Sequence, residues 1–315
     1  MEKVFLDYTQ QIKILVDDKN LNISDLKYAR EMLGRYGYYS LINGYKNEFK
    51  DPITTKYRSN VCFEDIVALY EFDENLRALF LRYIQKIERQ MKEYLSFYFC
   101  EKYGEKQEGY LRADHYNYIN KNRRDIDKLI RILQRYTEGH TDYRYINHAV
   151  LNYGNVPLWI VMNALTFGNI SKFYSLVRYD IQAKISINYE GVNEGQIAKI
   201  MIVLTGFRNV CAHGERLYCY RTKQAIPDLP LHEKMRIPKF GQEYACGKHD
   251  LFAVVIAMRY LLPNDWFLVF KRELIKTISR YLKKTSCFTE AEVLRFMGFP
   301  ENWKTITRYR KRKAV

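Results

Sequence analysis

In residues 66–99, Leu69, Phe72, Leu76, Phe80, Ile84, Ile87, Met91, Leu95 and Phe99 recur at steps of three and four. That spacing puts them in one stripe down a single long helix, with Glu, Lys and Arg on its other faces. A helix of this length has to be matched along its stripe by other elements. The same period returns in residues 25–34, 120–137, 157–177, 193–213, 249–262, 265–285 and 289–297, so the chain is predicted to be all-α. Pro157 suits a first helical turn, and Asn193 followed by Gln196 has the form of a capping box. Between 218 and 248 the period breaks. Pro227, Pro230 and Pro238 there predict a long irregular segment or a short hairpin, of the kind that often covers a site.

A chain of 315 residues buries a substantial core without disulfides or metals. The opening MEKVFLDYTQ has no continuous apolar run, and the longest apolar stretch, LFAVVIAM (251–258), is too short to span a bilayer. The expectation is a soluble, cytoplasmic protein with no membrane partner. The six cysteines are scattered without a CxxC pair, which suits buried thiols in a reducing compartment. A zinc site from Cys211, His213, Cys219, Cys246 and His249 is conceivable, but the spacing is irregular; the reading is no metal and no cofactor. The charge is more telling: 51 Lys and Arg against 36 Asp and Glu give a formal +15, alongside 28 tyrosines. Cations that hold phosphates, interleaved with rings that stack bases, suit single-stranded RNA.

The stretch FRNVCAHGERLY (207–218) concentrates Arg, Asn and His in a chain with six histidines. At 100° per residue, Ile197, Ile200, Phe207 and Cys211 fall with Leu204 on the core side, and Asn209, His213 and Arg216 on the far side. Standing at i, i+4 and i+7, these three converge on one ligand if the helix persists through Gly214. Arg208 lies nearer the core edge. Ile202 and Gly206 share the face of His213, and an apolar residue with a close-approach glycine there predicts that something packs on it. The chemistry that fits is phosphodiester cleavage in RNA. An imidazole can take the 2′-OH proton or protonate the leaving oxygen, while guanidinium groups stabilise charge on the phosphoryl oxygens. The same polar set also suits an ordinary capped helix end, with Glu215 paired to an arginine.

RNVCAH fits the R-x4-H pattern of HEPN-domain ribonucleases. YYSLINGY (38–45), YEFDENLRALFLRYIQKIE (70–88), VPLWIVMNALTFGNISKFYS (156–175), RNVCAHGERLY (208–218) and MGFPENW (297–303) follow in the order seen in the Abi-like family of bacterial abortive-infection proteins, the AbiD/AbiF type. The chain resembles that family over about residues 25–303. The resemblance implies an all-α HEPN-type bundle, dimeric, cleaving RNA as a toxin or phage-defence effector held in check by an inhibitory non-coding RNA or a partner protein. It maps the motif's Arg, Asn and His onto Arg208, Asn209 and His213, and the following Arg onto Arg216. Gly214 departs from the pattern, because relatives often carry His or Asn after the motif His. The expected organisation is an N-terminal helical extension (1–60), a HEPN-like core carrying the motif (61–217), a loop or hairpin insertion (218–248), and C-terminal helices with a basic tail (249–315).

Further RNA-binding candidates are Lys121, Arg123 and Arg124 in the stretch KNRR, flanked by His115, His140 and His148, and the RYRKRK tail (308–313). Tyr38, Tyr39, Tyr45 and Trp159 are read as core aromatics rather than base platforms. The leading reading is a metal-independent endoribonuclease with its site shared between two copies of the 193–213 helix. The alternatives are a catalytically inactive HEPN regulator or antitoxin-type partner that binds RNA, and a protein-interaction module.

Overall fold

The computed structural model describes residues 4–139 and 141–309. Two amphipathic helices, α1 (Tyr8–Asp17) and α2 (Leu26–Tyr36), are each started by an aspartate whose carboxylate accepts a first-turn N–H, and they pack on one another. They lead into α3 (Phe63–Tyr103), a helix of 41 residues. Every residue of its predicted stripe from Leu69 to Phe99 is buried. The matching surfaces come from most of the remaining chain.

After α3 come α4 (Gln107–Leu111), α5 (Arg123–Gln134), α6 (Arg144–Tyr153), α7 (Leu158–Ala164), α8 (Phe167–Leu176), α9 (Tyr179–Ser186) and α10 (Glu194–Ala212). Of these, α7, α8, α9 and α10 all pack on α3, and α8 also touches both α5 and α10. The 218–248 segment holds a short helix, α11 (Pro230–Lys234), and a two-stranded antiparallel hairpin, β1 (Lys239–Phe240) with β2 (Glu243–Tyr244), in which Lys239 pairs with Tyr244. Then α12 (Leu251–Leu261), α13 (Asn264–Leu282) and α14 (Glu290–Met297) complete the all-α architecture. Every residue of α12 is buried, which explains the longest apolar run: it is an interior helix packed against α3, α10 and α13. No helix among the described residues is long and apolar enough to cross a membrane.

Two expectations need correction. The single helix predicted over 157–177 is two, because Leu165 is extended and Thr166 caps α8 by accepting the N–H of Asn169 at 3.3 Å. The apolar period survives the break since both halves pack on α3. Among the aromatics expected in the core, Tyr45 is buried and Tyr38 partly so, whereas Tyr39 and Trp159 are exposed, at 77% and 46%. Helices α1, α6 and α9, each of ten residues or fewer, were not anticipated from periodicity.

Candidate active site at the end of helix α10

Asn193 and Gln196 form a reciprocal cap at the start of α10: each side-chain oxygen accepts the other's backbone N–H, at 2.9 and 3.0 Å. Ile197, Ile200, Leu204, Phe207 and Cys211 are buried as predicted and fix the helix's rotation. The Ile, Leu and Phe side chains among them each contribute about 1.5–3 kcal/mol by burial. Their burial turns Ile202, Asn209 and His213 outward, all three exposed.

The far end of α10 is set by Gly214. His213 is the last residue near helical geometry, at φ −92° and ψ 2°, and Gly214 follows at φ +71° in the left-handed region. The N–H of Glu215 returns to the carbonyl of Val210 at 3.1 Å, and that of Gly214 to Cys211 at 3.5 Å. This is a Schellman closure, in which glycine avoids the Cβ penalty of a left-handed residue. The consequence corrects one expectation: the helix does not persist through Gly214, so Arg216 is not carried round to the face of Asn209 and His213. It stands exposed on the segment that leaves the turn.

That segment is held from α3. Asp73, fully buried, accepts the N–H of Leu217 at 3.0 and 3.1 Å through its two carboxylate oxygens and the N–H of Tyr218 at 2.7 Å. The Tyr45 hydroxyl and an Arg77 Nη1 donate to the same carboxylate, each at 2.7 Å. Arg77 Nη1 also reaches the carbonyl of Glu215 at 3.3 Å. Burial pushes the Tyr45 hydroxyl far above its ordinary range, which keeps it a donor. Burial pulls the Arg77 guanidinium down, but the Asp73 carboxylate together with the Tyr45 and Tyr70 hydroxyls more than offsets this and leaves it above its ordinary value. None of Tyr45, Asp73 and Arg77 was picked out from the sequence as a site residue. The readable signal was two opposite charges four residues apart, each directly after a stripe residue, Phe72 and Leu76.

The two motif residues Asn209 and His213 are one helical turn apart, joined by the His213 N–H to the Asn209 carbonyl at 2.9 Å. Among the described residues, the side chains of Asn209, His213 and Arg216 have no hydrogen-bond or ion-pair partner. Glu215 forms no ion pair there either, so the Glu–Arg bridge considered from the sequence is absent; its backbone makes the contacts instead. Arg208 is half-buried, and its Nε is buried without a hydrogen-bond partner, a donor left without an acceptor. Gly206 also takes a different role from the one expected. A Cβ there would stand 3.4 Å from Thr222 Cγ2 and 3.6 Å from the Tyr220 hydroxyl, so what packs on it is the returning chain itself. Ile202 remains, 49% exposed, on the face of His213.

The possible zinc set does not come together: among the described residues no three His, Cys, Asp or Glu side chains form a group able to hold a metal. Burial pushes the Cys211 thiol up to about 12, and His249 Nδ1 is taken by the Thr222 carbonyl at 2.9 Å. His115 is likewise committed, with Nδ1 2.6 Å from the Gly109 carbonyl and its ring stacked on Tyr103 at 3.9 Å. Lys121, Arg123 and Arg124 are exposed at the start of α5, an element joined to α10 through α8, and are not gathered with His213. His140 and residues 310–313 of the basic tail lie outside the described residues.

The sequence profile described as Abi-like protein matches residues 31–219, which takes in Tyr45, Asp73, Arg77 and the whole Arg208 to His213 motif. The chain belongs to the Abi-like protein family, whose name ties it to abortive infection, a form of phage defence. No significant match was found among curated proteins or among solved structures.

Proposed function

We propose that this Abi-like protein is a metal-independent endoribonuclease of the HEPN type, the AbiD/AbiF kind, with residues 61–217 as its core. The observation that supports this most is the Asn209–His213 pair: exposed, unpartnered, and fixed at the end of a helix whose exit turn is tied to a buried carboxylate. Such a pair binds little by itself, so its rigid presentation is the useful property.

In this reading His213 takes the proton from a ribose 2′-OH. The 2′-oxygen then attacks the adjacent phosphorus, the P–O5′ bond breaks, and the departing 5′-oxygen receives a proton. The Asn209 amide and the Arg208 guanidinium donate to the phosphoryl oxygens as charge builds on them. Arg216 joins from the exit segment as a phosphate contact rather than as a third member of the helical face. One His cannot stand on both sides of the phosphorus at once. A second copy of α10, packed through Ile202 across a two-fold axis, supplies the other, and the active form is a homodimer. Control by an inhibitory RNA or protein partner fits a toxin of this kind.

The test is cleavage of single-stranded RNA by the wild type and by His213→Ala. Because His213 is exposed, the variant should fold with stability within about 0.5 kcal/mol of the wild type. Its cleavage rate should fall about 100- to 10,000-fold. RNA binding by both proteins with cleavage by neither would instead identify a non-catalytic RNA-binding regulator.

A further inference from the structure

We propose that a second surface, running from a pocket beside Tyr118 and Tyr179 along the outer face of α5, binds the single-stranded flank of the RNA. It rests on the RNA-directed reading above, but none of its residues belongs to the His213 site.

The argument starts with α5 itself. Ile126, Leu129 and Leu133 are buried and fix which side faces the protein. Arg124, Lys128, Arg131 and Arg135 then fall at i, i+4, i+7 and i+11, a spread of about 60° on the opposite side. All four are exposed, and they border a shallow cavity of about 680 Å³. Their rise is about 5.4 Å per turn over about 16 Å, close to the spacing of successive phosphates on an extended strand. Of the two acids on this helix, Asp125 is paired with Lys172, and Asp127 Oδ1 accepts the Tyr118 hydroxyl at 3.5 Å. No ion pair holds any of the four among the described residues; Arg131 Nε contacts only the Asp127 carbonyl, at 3.2 Å. Four cations in one row, none of them held in an ion pair among the described residues, are the electrostatic complement of a polyanion.

The row does not end in featureless surface. Just before α5, the strand-like segment around Asn117 is hydrogen-bonded to the end of α8, its N–H on the Leu176 carbonyl at 2.9 Å. Beside it lies a pocket of about 830 Å³ lined by Tyr118, Ile119, Arg178 and Tyr179, with Asp114 and Asp180 also in its wall but ion-paired with Arg112 and Lys102. Tyr118 is 38%, Ile119 52% and Tyr179 69% exposed, a concentration of large apolar surface beside charge. The Arg123 guanidinium lies over the Tyr118 ring at 5.2 Å, joining the pocket to the cation row. Exposed rings beside a phosphate-spaced row of cations distinguish unpaired bases from other polyanions. A duplex hides its base faces, and an acidic peptide has no use for the rings.

The experiment uses the full chain carrying His213→Ala, so that binding is read without cleavage, and a labelled single-stranded RNA followed by fluorescence anisotropy across a salt series. Replacing Arg124, Lys128, Arg131 and Arg135 together with Gln should weaken binding. It should also flatten the slope of log affinity against log salt by about 0.7 per lost phosphate contact, about 3 in all. Replacing the three arginines with Lys should keep the slope, which separates charge from folding. Tyr118→Ala with Tyr179→Ala should lose roughly tenfold in affinity per ring at unchanged slope. Unchanged affinity and slope in the Gln variant overturn the proposal, as does equal affinity for duplex RNA, or displacement of the RNA by polyglutamate at equal charge. Since the readout is binding, absence of nuclease activity leaves this surface intact, and failure of this surface leaves cleavage at His213 intact.

Discussion

Asp73 Oδ1 accepts the backbone N–H of Tyr218 at 2.7 Å, across 145 residues of chain, and this contact anchors the turn that presents His213. The carboxylate is shared with Leu217, Tyr45 and Arg77, so its loss strands several buried donors at once. Asp73→Ala should therefore cost about 3–5 kcal/mol in denaturant unfolding, the range for removing one partner of a buried pair. Asp73→Asn keeps an acceptor and should cost less. A loss below about 0.5 kcal/mol for Asp73→Ala, the level of an ordinary surface change, would mean that the network does not brace the turn.

Gly214 makes the turn possible, and open space surrounds its would-be Cβ, so backbone conformation is what constrains it. Gly214→Ala should cost about 1–2 kcal/mol from the left-handed φ alone. Cleavage should fall as well, since the strain is relieved by shifting the cap residue, His213. An alanine variant with wild-type stability would show that the turn tolerates a Cβ.

Ile202 is the apolar residue left exposed beside the site. If the proposed two-fold contact forms through it, the wild type should be a dimer in light scattering and Ile202→Asp a monomer without cleavage, because a charge cannot be packed at such a contact without a partner. A fully active monomeric variant would place the complete site within one chain.

A pH effect on stability is expected away from the site, at His232. This imidazole is fully buried, accepts the Leu229 N–H at Nδ1 (3.1 Å), and has Nε2 2.8 Å from the Gly247 carbonyl. Burial lowers its pKa below the ordinary 6.5; the Gly247 and Leu229 backbone contacts oppose this, nearby Lys248 adds to it, and Asp228 opposes it. Well above pH 6.5 neither folded nor unfolded chain holds this proton, and the contribution is complete. As the pH falls below that value the unfolded chain binds the proton first, so stability declines. Melting temperatures from pH 7.5 down to 5 should show the decline in the wild type and a shallower one in His232→Gln. Parallel curves would assign the acid sensitivity to other groups.

How much of this was legible in the sequence depended on range. The stripe of α3 and the Asn193–Gln196 cap were readable because each is an interaction over three or four residues. The outward placement of Asn209 and His213 followed from the same periodicity. Gly214 marks in the sequence a place where a helix can stop, but the closure onto Val210 depends on the backbone path that follows it. Asp73 was invisible as an anchor because its partners lie 144 and 145 residues away. Gly206 shows the opposite failure: periodicity places it on the side away from the core stripe, and what covers it is Tyr220 and Thr222, brought back by a turn that periodicity does not encode.

The central claim, cleavage by 2′-OH chemistry at His213, is tested most directly by the ends it leaves. Single-stranded RNA incubated with the wild-type protein in the presence of a chelator should yield 2′,3′-cyclic phosphate or 3′-phosphate termini and 5′-hydroxyls. The same strand with a single 2′-deoxy ribose at the cut position should resist cleavage there. Cleavage of the deoxy-substituted strand at an equal rate, or products bearing 5′-phosphates, would contradict the account.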